Sequence, residues 1–218
     1  MFTHEKANVF FIIHVCFFQN LRAADTAAEG KIMEEYYQPE ALREALIIAG
    51  LKEIEVHGIS DFSLRRVASA CGVSCAAPYR HFKSKNDLIL AIITYVNDKW
   101  SLLCDQILEI FKNDRRRCII EICIANVRFW TANPHFRSIM LIDSKELDSD
   151  QLREKSRISG ASDSLLLEYF RESDLSDTDA QKKLFIIRSV MYGSLQTAEG
   201  SGVDAIATIK EFLEKELA

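Results

Sequence analysis

Gly72-Val73-Ser74-Cys75-Ala76-Ala77-Pro78-Tyr79-Arg80-His81-Phe82-Lys83-Ser84-Lys85 decides how the rest of the chain is read. Gly72 offers a backbone position free to take positive φ. Ser74 has the side chain of an N-cap, whose hydroxyl accepts from a free backbone N–H two or three residues on. Pro78 removes one bond, back to the Ser74 carbonyl, which strains a short helix without breaking it. The stretch therefore predicts a turn, a nine-residue helix over Ser74–Phe82, and a second helix opened by Ser84-Lys85-Asn86-Asp87, a capping-box pattern with Asp in the Glu/Gln place. On a helical wheel Val73, Pro78 and Phe82 gather on one side. Ala76, Ala77, Tyr79, Arg80 and His81 lie opposite, with Cys75 at the edge. Small residues beside an aromatic hydroxyl, a guanidinium and an imidazole suit a helix that approaches a groove closely and reaches phosphates and base edges.

Upstream, Ser63-Leu64-Arg65-Arg66-Val67-Ala68-Ser69-Ala70-Cys71-Gly72-Val73 reads as another capped helix ending in a glycine turn. Helix, glycine turn, helix is the helix-turn-helix arrangement. Ser63–Ala68, Gly72-Val73-Ser74 and Tyr79–Leu88 resemble the DNA-binding signature of TetR-family transcriptional regulators, from about Tyr37 to Leu90 without a gap. The resemblance implies operator DNA as the partner. By position, Ser63 and Arg65 would touch phosphate or a groove edge, and Cys75, Ala76 and Ala77 would approach bases. Tyr79, His81 and Lys85 would grip the backbone, and Arg80 would add a base or phosphate contact.

Composition agrees with an all-α chain. In 218 residues, 48% hydrophobic, there are only three prolines and eight glycines, and helical spacing recurs over long stretches. The formal charge of −5 does not suggest a nucleic-acid binder. Between Gly58 and Lys85, however, Arg65, Arg66, Arg80, Lys83 and Lys85 face a single acid, Asp61, an electrostatic footprint at the motif. The six cysteines form no zinc pattern and read as free thiols of a reducing cytosol.

The predicted organisation has three parts. Residues 1–35 form an extension foreign to the family. Residues 36–85 form a three-helix helix-turn-helix domain, and residues 86–218 a helical effector-binding and dimerisation domain. In the extension, Val9–Phe18 is apolar apart from His14. That length suits a signal-peptide core and is too short to span a bilayer. It is read as a wrongly assigned start with Met33 the first residue, as a signal or membrane anchor, or as an extra helix; we carry the first, because the resemblance begins near Met33.

The first domain opens with a helix from Pro39 to His57, with Ile47, Gly50, Leu51 and Ile54 as its inward stripe and Gly58 as its stop. Beyond the reader the spacing predicts helices over Ser84 to about Lys112, Asp114–Ala132, Pro134–Ile142, Gln151–Phe170, Asp179–Ala198 and Asp204–Leu217. Asp143–Asp150 and Asp174–Asp179 read as acidic loops and Gly200–Gly202 as a turn. The Asn133–Arg137 stretch and Arg188-Ser189-Val190-Met191-Tyr192-Gly193 resemble a family subgroup with a Trp-His-Gly-like motif, Met191 and Tyr192 standing in or near the Trp and His places.

The family resemblance implies an effector pocket in this region, for which Phe111, Phe129, Trp130, Phe136 and Met140 are candidates against a reading of them as core. It also implies a homodimer through the last two helices, a small-molecule effector, a cytoplasmic location, and repression relieved when the effector binds. No catalytic constellation is legible: there is no Ser-His-Asp grouping, phosphate loop or metal set, and no cofactor or enzymatic activity is expected. The rival reading is a membrane-tethered or exported helical small-molecule-binding protein without a role on DNA.

Overall fold

The computed structural model of the protein describes residues 39–197 and 202–218. The run Val9–Phe18, Met33 and Gly200 lie outside them. Among the described residues the chain forms eight α-helices, two short 3-10 turns and no strand, the all-α architecture expected.

Helix α1 is Pro39–His57 and α2 is Leu64–Ala70. A 3-10 turn at Pro78–Arg80 precedes the long α3, Lys85–Ile110. Then come α4 (Arg115–Ala132), α5 (Pro134–Leu141), a second 3-10 turn at Ser144–Glu146, α6 (Ser149–Glu172), α7 (Asp177–Thr197) and α8 (Ala205–Glu216).

The chain forms two compact units. One runs to Lys99 and takes in Ser138–Lys155; the other comprises Trp100–Arg137 and Ser156–Ala218. Helices α3, α5 and α6 each contribute residues to both.

In the first unit α1 packs on α2. Leu46, Ile47, Leu51 and Ile54 of α1 are buried, as the stripe requires. Gly50 lets the helix pack closely: a Cβ there would lie 2.6 Å from Ile92 Cδ1, so the end of that side chain would have to shift. Gly58 ends α1 with φ 71° and donates its N–H to the Ile54 carbonyl at 2.8 Å, a left-handed cap that few side chains tolerate.

The acidic stretch Asp143–Asp150, expected as loop, is instead largely structured. The Asp143 carboxylate accepts the Lys145 N–H at 3.0 Å and so closes the 3-10 turn. Asp148 caps α6 by accepting the N–H groups of Asp150 (3.1 Å) and Gln151 (2.9 Å), while Gln151 Oε1 accepts the Asp148 N–H at 3.0 Å. That reciprocal capping box is why the helix starts two residues before the expected Gln151. Here acids serve as helix starters, not as solvated spacers.

In the second unit α4 packs against α7 and α8, which pair with each other. Helix α4 is buried on nearly its whole circumference from Cys118 to Val127, then again at Phe129 and Trp130. A helix with so little polar face has to be central. Asp114, expected inside the helix, is its N-cap and accepts the Arg117 N–H at 3.0 Å. Along α7, Ala180, Leu184, Ile187, Met191 and Leu195 point inward, while Phe185 and Ile186 remain exposed.

Candidate nucleic-acid interface

Ser63 caps α2, its hydroxyl accepting the Arg66 N–H at 3.4 Å. The following turn pivots on Gly72, with φ 67°. Val73 N–H returns to the Ala68 carbonyl at 3.0 Å, which folds the turn back onto α2.

The reader segment is a correction to the sequence-based expectation. Ser74–Phe82 is not one nine-residue α-helix. It is a turn through Cys75-Ala76 followed by the 3-10 turn Pro78–Arg80. The cause is Pro78. Without an N–H it cannot reach the Ser74 carbonyl, and that acceptor is taken one residue earlier by Ala77 N–H at 2.9 Å. The three-residue spacing then continues: Arg80 N–H donates to the Ala77 carbonyl (3.1 Å) and His81 N–H to the Pro78 carbonyl (3.0 Å). Phe82 N–H also reaches Pro78, at 2.9 Å, and restores a helical repeat.

The division of faces survives this change. Pro78 and Phe82 are buried, and the Arg43 guanidinium sits 5.2 Å from the Phe82 ring centroid. On the outer side Cys75, Ala76, Tyr79 and Arg80 are exposed, Tyr79 by 60%, and Ala77 and His81 are half-buried. The next helix is capped as expected: Ser84 Oγ accepts the Asp87 N–H at 3.1 Å, and Asp87 Oδ2 accepts the Lys83 N–H at 2.8 Å.

The five cations of the motif do not behave alike. Arg65, Arg80 and Lys83 are exposed and have no ion-pair partner among the described residues. Lys85, expected on a DNA backbone, donates from Nζ to the Ile59 carbonyl at 3.0 Å and lies 5.8 Å from the Phe62 ring, so one of its three donors is already engaged. Arg66 is held by the protein. Its Nε donates to Glu53 Oε1 at 2.7 Å, its Nη2 pairs with the same oxygen, and Nη2 also reaches the Asp61 carbonyl and, at 3.4 Å, Asp61 Oδ2. The hydrogen bond Arg66 donates to Glu53, helped by the charges of Glu53 and Asp61, raises the Arg66 pKa above its ordinary value. Glu53 was missed in the sequence because it lies on the apolar side of α1; the nearby pair Asp61 and Arg66 was the one visible hint.

Among the effector candidates the structure gathers some and separates others. Phe129 is the hub: its ring centroid lies 5.4 Å from Trp100, 4.9 Å from Trp130 and 5.5 Å from Phe136. Trp100, at the start of the second unit's share of α3, was not foreseen. Phe111 is buried elsewhere, beneath the Arg117 guanidinium at 4.9 Å. Met140 is half-buried and belongs to the first unit. The indole Nε1 atoms of Trp100 and Trp130 are buried and find no hydrogen-bond partner among the described residues. In the same unit, Arg188 lies 3.4 Å from the Asp163 carboxyl, whose pKa is raised by burial against that charge. Burial also pushes the Cys104 and Cys123 thiols up to about 12, which keeps them protonated and unreactive at neutral pH.

Among the described residues no group of three or more His, Cys, Asp or Glu is placed to hold a metal ion. No helix there is long and apolar enough to cross a membrane.

Residues 46–92 match the family model described as bacterial regulatory proteins, tetR family. The chain is 25% identical over 174 residues to the nucleoid occlusion factor SlmA of Shewanella amazonensis, covering 79% of this chain and 86% of that protein. A TetR-family transcriptional regulator from Bordetella parapertussis superposes with a TM-score of 0.65 at 19% identity, covering 81% of this chain and 94% of that one. The fatty acid degradation regulator FadR from Bacillus halodurans superposes with a TM-score of 0.61 at 16% identity, covering 80% and 97%. At these identities the structural likenesses establish the fold alone.

Proposed function

We propose that this chain, a DNA-binding regulator of the tetR family, is a cytoplasmic repressor that binds operator DNA as a homodimer and releases it when a small molecule binds its second unit. It acts by binding, not by catalysis.

The observation that carries the reading is the outer face of the reader. Cys75, Ala76, Tyr79 and Arg80 project into solvent while Pro78 and Phe82 anchor the segment from behind. In this reading Cys75, Ala76 and Ala77 allow close approach to bases. Ser63, Arg65, Tyr79, Arg80, His81 and the remaining donors of Lys85 meet phosphates and groove edges. Two readers spaced one turn of DNA apart require a dimer. Helix α7 supports a second copy: Phe185 is 72% and Ile186 47% exposed beside Lys182 and Gln181, on the side away from the packed stripe.

For the effector, Phe129, Trp130 and Phe136 are the favoured lining. The unpartnered Trp130 N–H supports a ligand with a hydrogen-bond acceptor, because an unmet buried donor gains most from being satisfied. Effector binding would act on α3, which supplies residues to both units. The coupling is reciprocal, so DNA weakens effector binding by the same factor.

A footprint on DNA flanking the protein's own gene tests the reading. A protected two-fold site, lost on adding a compound that quenches tryptophan emission, is expected. Uniform, sequence-blind binding under all salt conditions would sink it.

A further inference from the structure

Glu53 is the least expected residue of the first unit. Its side chain is only 8% exposed, on a helix face otherwise filled by Leu46, Ile47, Leu51 and Ile54. One carboxylate oxygen carries the contacts: Oε1 accepts the Ser63 N–H at 3.1 Å and the Arg66 Nε–H at 2.7 Å, while His57 Nε2 stands 3.9 Å from Oε2. One group thus ties α1 to the residue that caps α2 and to the second of two adjacent arginines.

Arg65 and Arg66 are neighbours in sequence and opposite in circumstance. Arg65 is exposed and free of ion pairs among the described residues, whereas Arg66 pairs with a buried carboxylate. For Arg66 to move onto a phosphate it would have to strip that buried carboxylate of its guanidinium, leaving only His57 3.9 Å from the other oxygen, and a buried charge so stripped is disfavoured. The phosphate offers little more than what Arg66 already has.

We infer that Glu53 is a positioning residue for DNA binding: it withdraws Arg66 from the duplex and fixes the start of α2, so that Arg65, Arg80 and Lys83 present the reader's uncommitted charge. The assignment rests on the DNA-binding reading above. Its consequence runs against intuition. An acid next to a DNA-binding surface ordinarily repels phosphate, and its removal should simply help. Here removal frees a cation that was never meant to touch DNA and loosens the cap that aims the others.

The test is the salt dependence of binding to a random-sequence duplex, measured by anisotropy with the full chain. Each phosphate neutralised contributes a slope of about −0.9 in log K against log salt. Glu53→Gln keeps an acceptor for Ser63 but drops the charge. It should steepen the slope by about one unit, and the double variant Glu53→Gln/Arg66→Gln should return it to the wild-type value. Arg66→Gln alone should leave the slope unchanged while lowering the unfolding midpoint. A purely structural role would move the midpoints and no slope.

The assignment is overturned if folded Glu53→Gln keeps the wild-type slope, or if Arg66→Gln flattens it by about one unit, which would mean that Arg66 already meets phosphate. Should Glu53→Gln fail to fold by circular dichroism, Arg66→Gln alone decides: an unchanged slope supports the assignment and a flattened one overturns it. No binding by the wild type at any salt would overturn the DNA reading itself and this assignment with it, a result distinct from a bound protein with the wrong slopes.

Discussion

The reader and the second unit are both helical, yet they are held together by different physics. Around an apolar core that includes Leu46, Ile47, Val67 and Phe82, the reader's turns and helix starts are set by polar and backbone devices. Gly58 and Gly72 occupy left-handed positions, Ser63 and Ser84 cap helices, and a buried carboxylate holds Arg66. In the second unit large apolar side chains interdigitate around α4, and Trp100, Phe129 and Trp130 are each at most 2% exposed. The difference teaches where function can sit. A surface built by caps leaves its outer side chains free for a ligand, whereas a core built by burial commits its aromatics to each other until something displaces them.

Substitution of Phe129 by Ala probes the second kind of stability and should have the largest effect. It removes the hub of three aromatic contacts and should cost about 3–5 kcal/mol in urea unfolding monitored by tryptophan emission. A cost under about 1 kcal/mol would mean that the cluster is a loosely filled pocket and not a packed core. Next is Gly72→Ala. An added Cβ meets nothing within 4 Å, so the penalty is the backbone's alone, about 1–2 kcal/mol for φ 67°. No measurable change would show that the turn relaxes around the added methyl group.

Arg80→Ala should change stability least, by under about 0.5 kcal/mol, since Arg80 is exposed and unpaired among the described residues. It should nonetheless flatten the salt slope of DNA binding by about one unit. If stability falls and the slope stays, the outer face belongs to the fold and the contrast between the two regions collapses.

Most of the helix pattern was legible because it is local. The stripe Ile47, Gly50, Leu51, Ile54 and the stop at Gly58 mark α1 from end to end. Asp114 and Asp204, taken as helix members, cap the helices they precede, an error of one residue with a local cause. The acids between Asp143 and Asp150 read as a loop, whereas the same carboxylates cap a turn and a helix. At the candidate interface the outward residues were legible from the wheel. The conformation was not, because the bond Pro78 cannot make was counted as a strain on a helix and not as the reason for a different one.

By itself the sequence determined the succession of α-helices among the described residues, with Ser74–Phe82 wrongly counted as one more, the glycine turn, and which side of the reader faces outward. Those features depend on residues within a few positions of each other, and short-range sterics and hydrogen bonding settle them. Only the tertiary structure decided which cations are free. Arg65 and Arg66 are the same residue type one position apart, and what separates them is Glu53, on a different helix and brought near by packing. It also decided that Trp100 joins Phe129 while Phe111 packs beneath Arg117. Charge neutralisation and aromatic contact act through space, and no spacing along the chain encodes them.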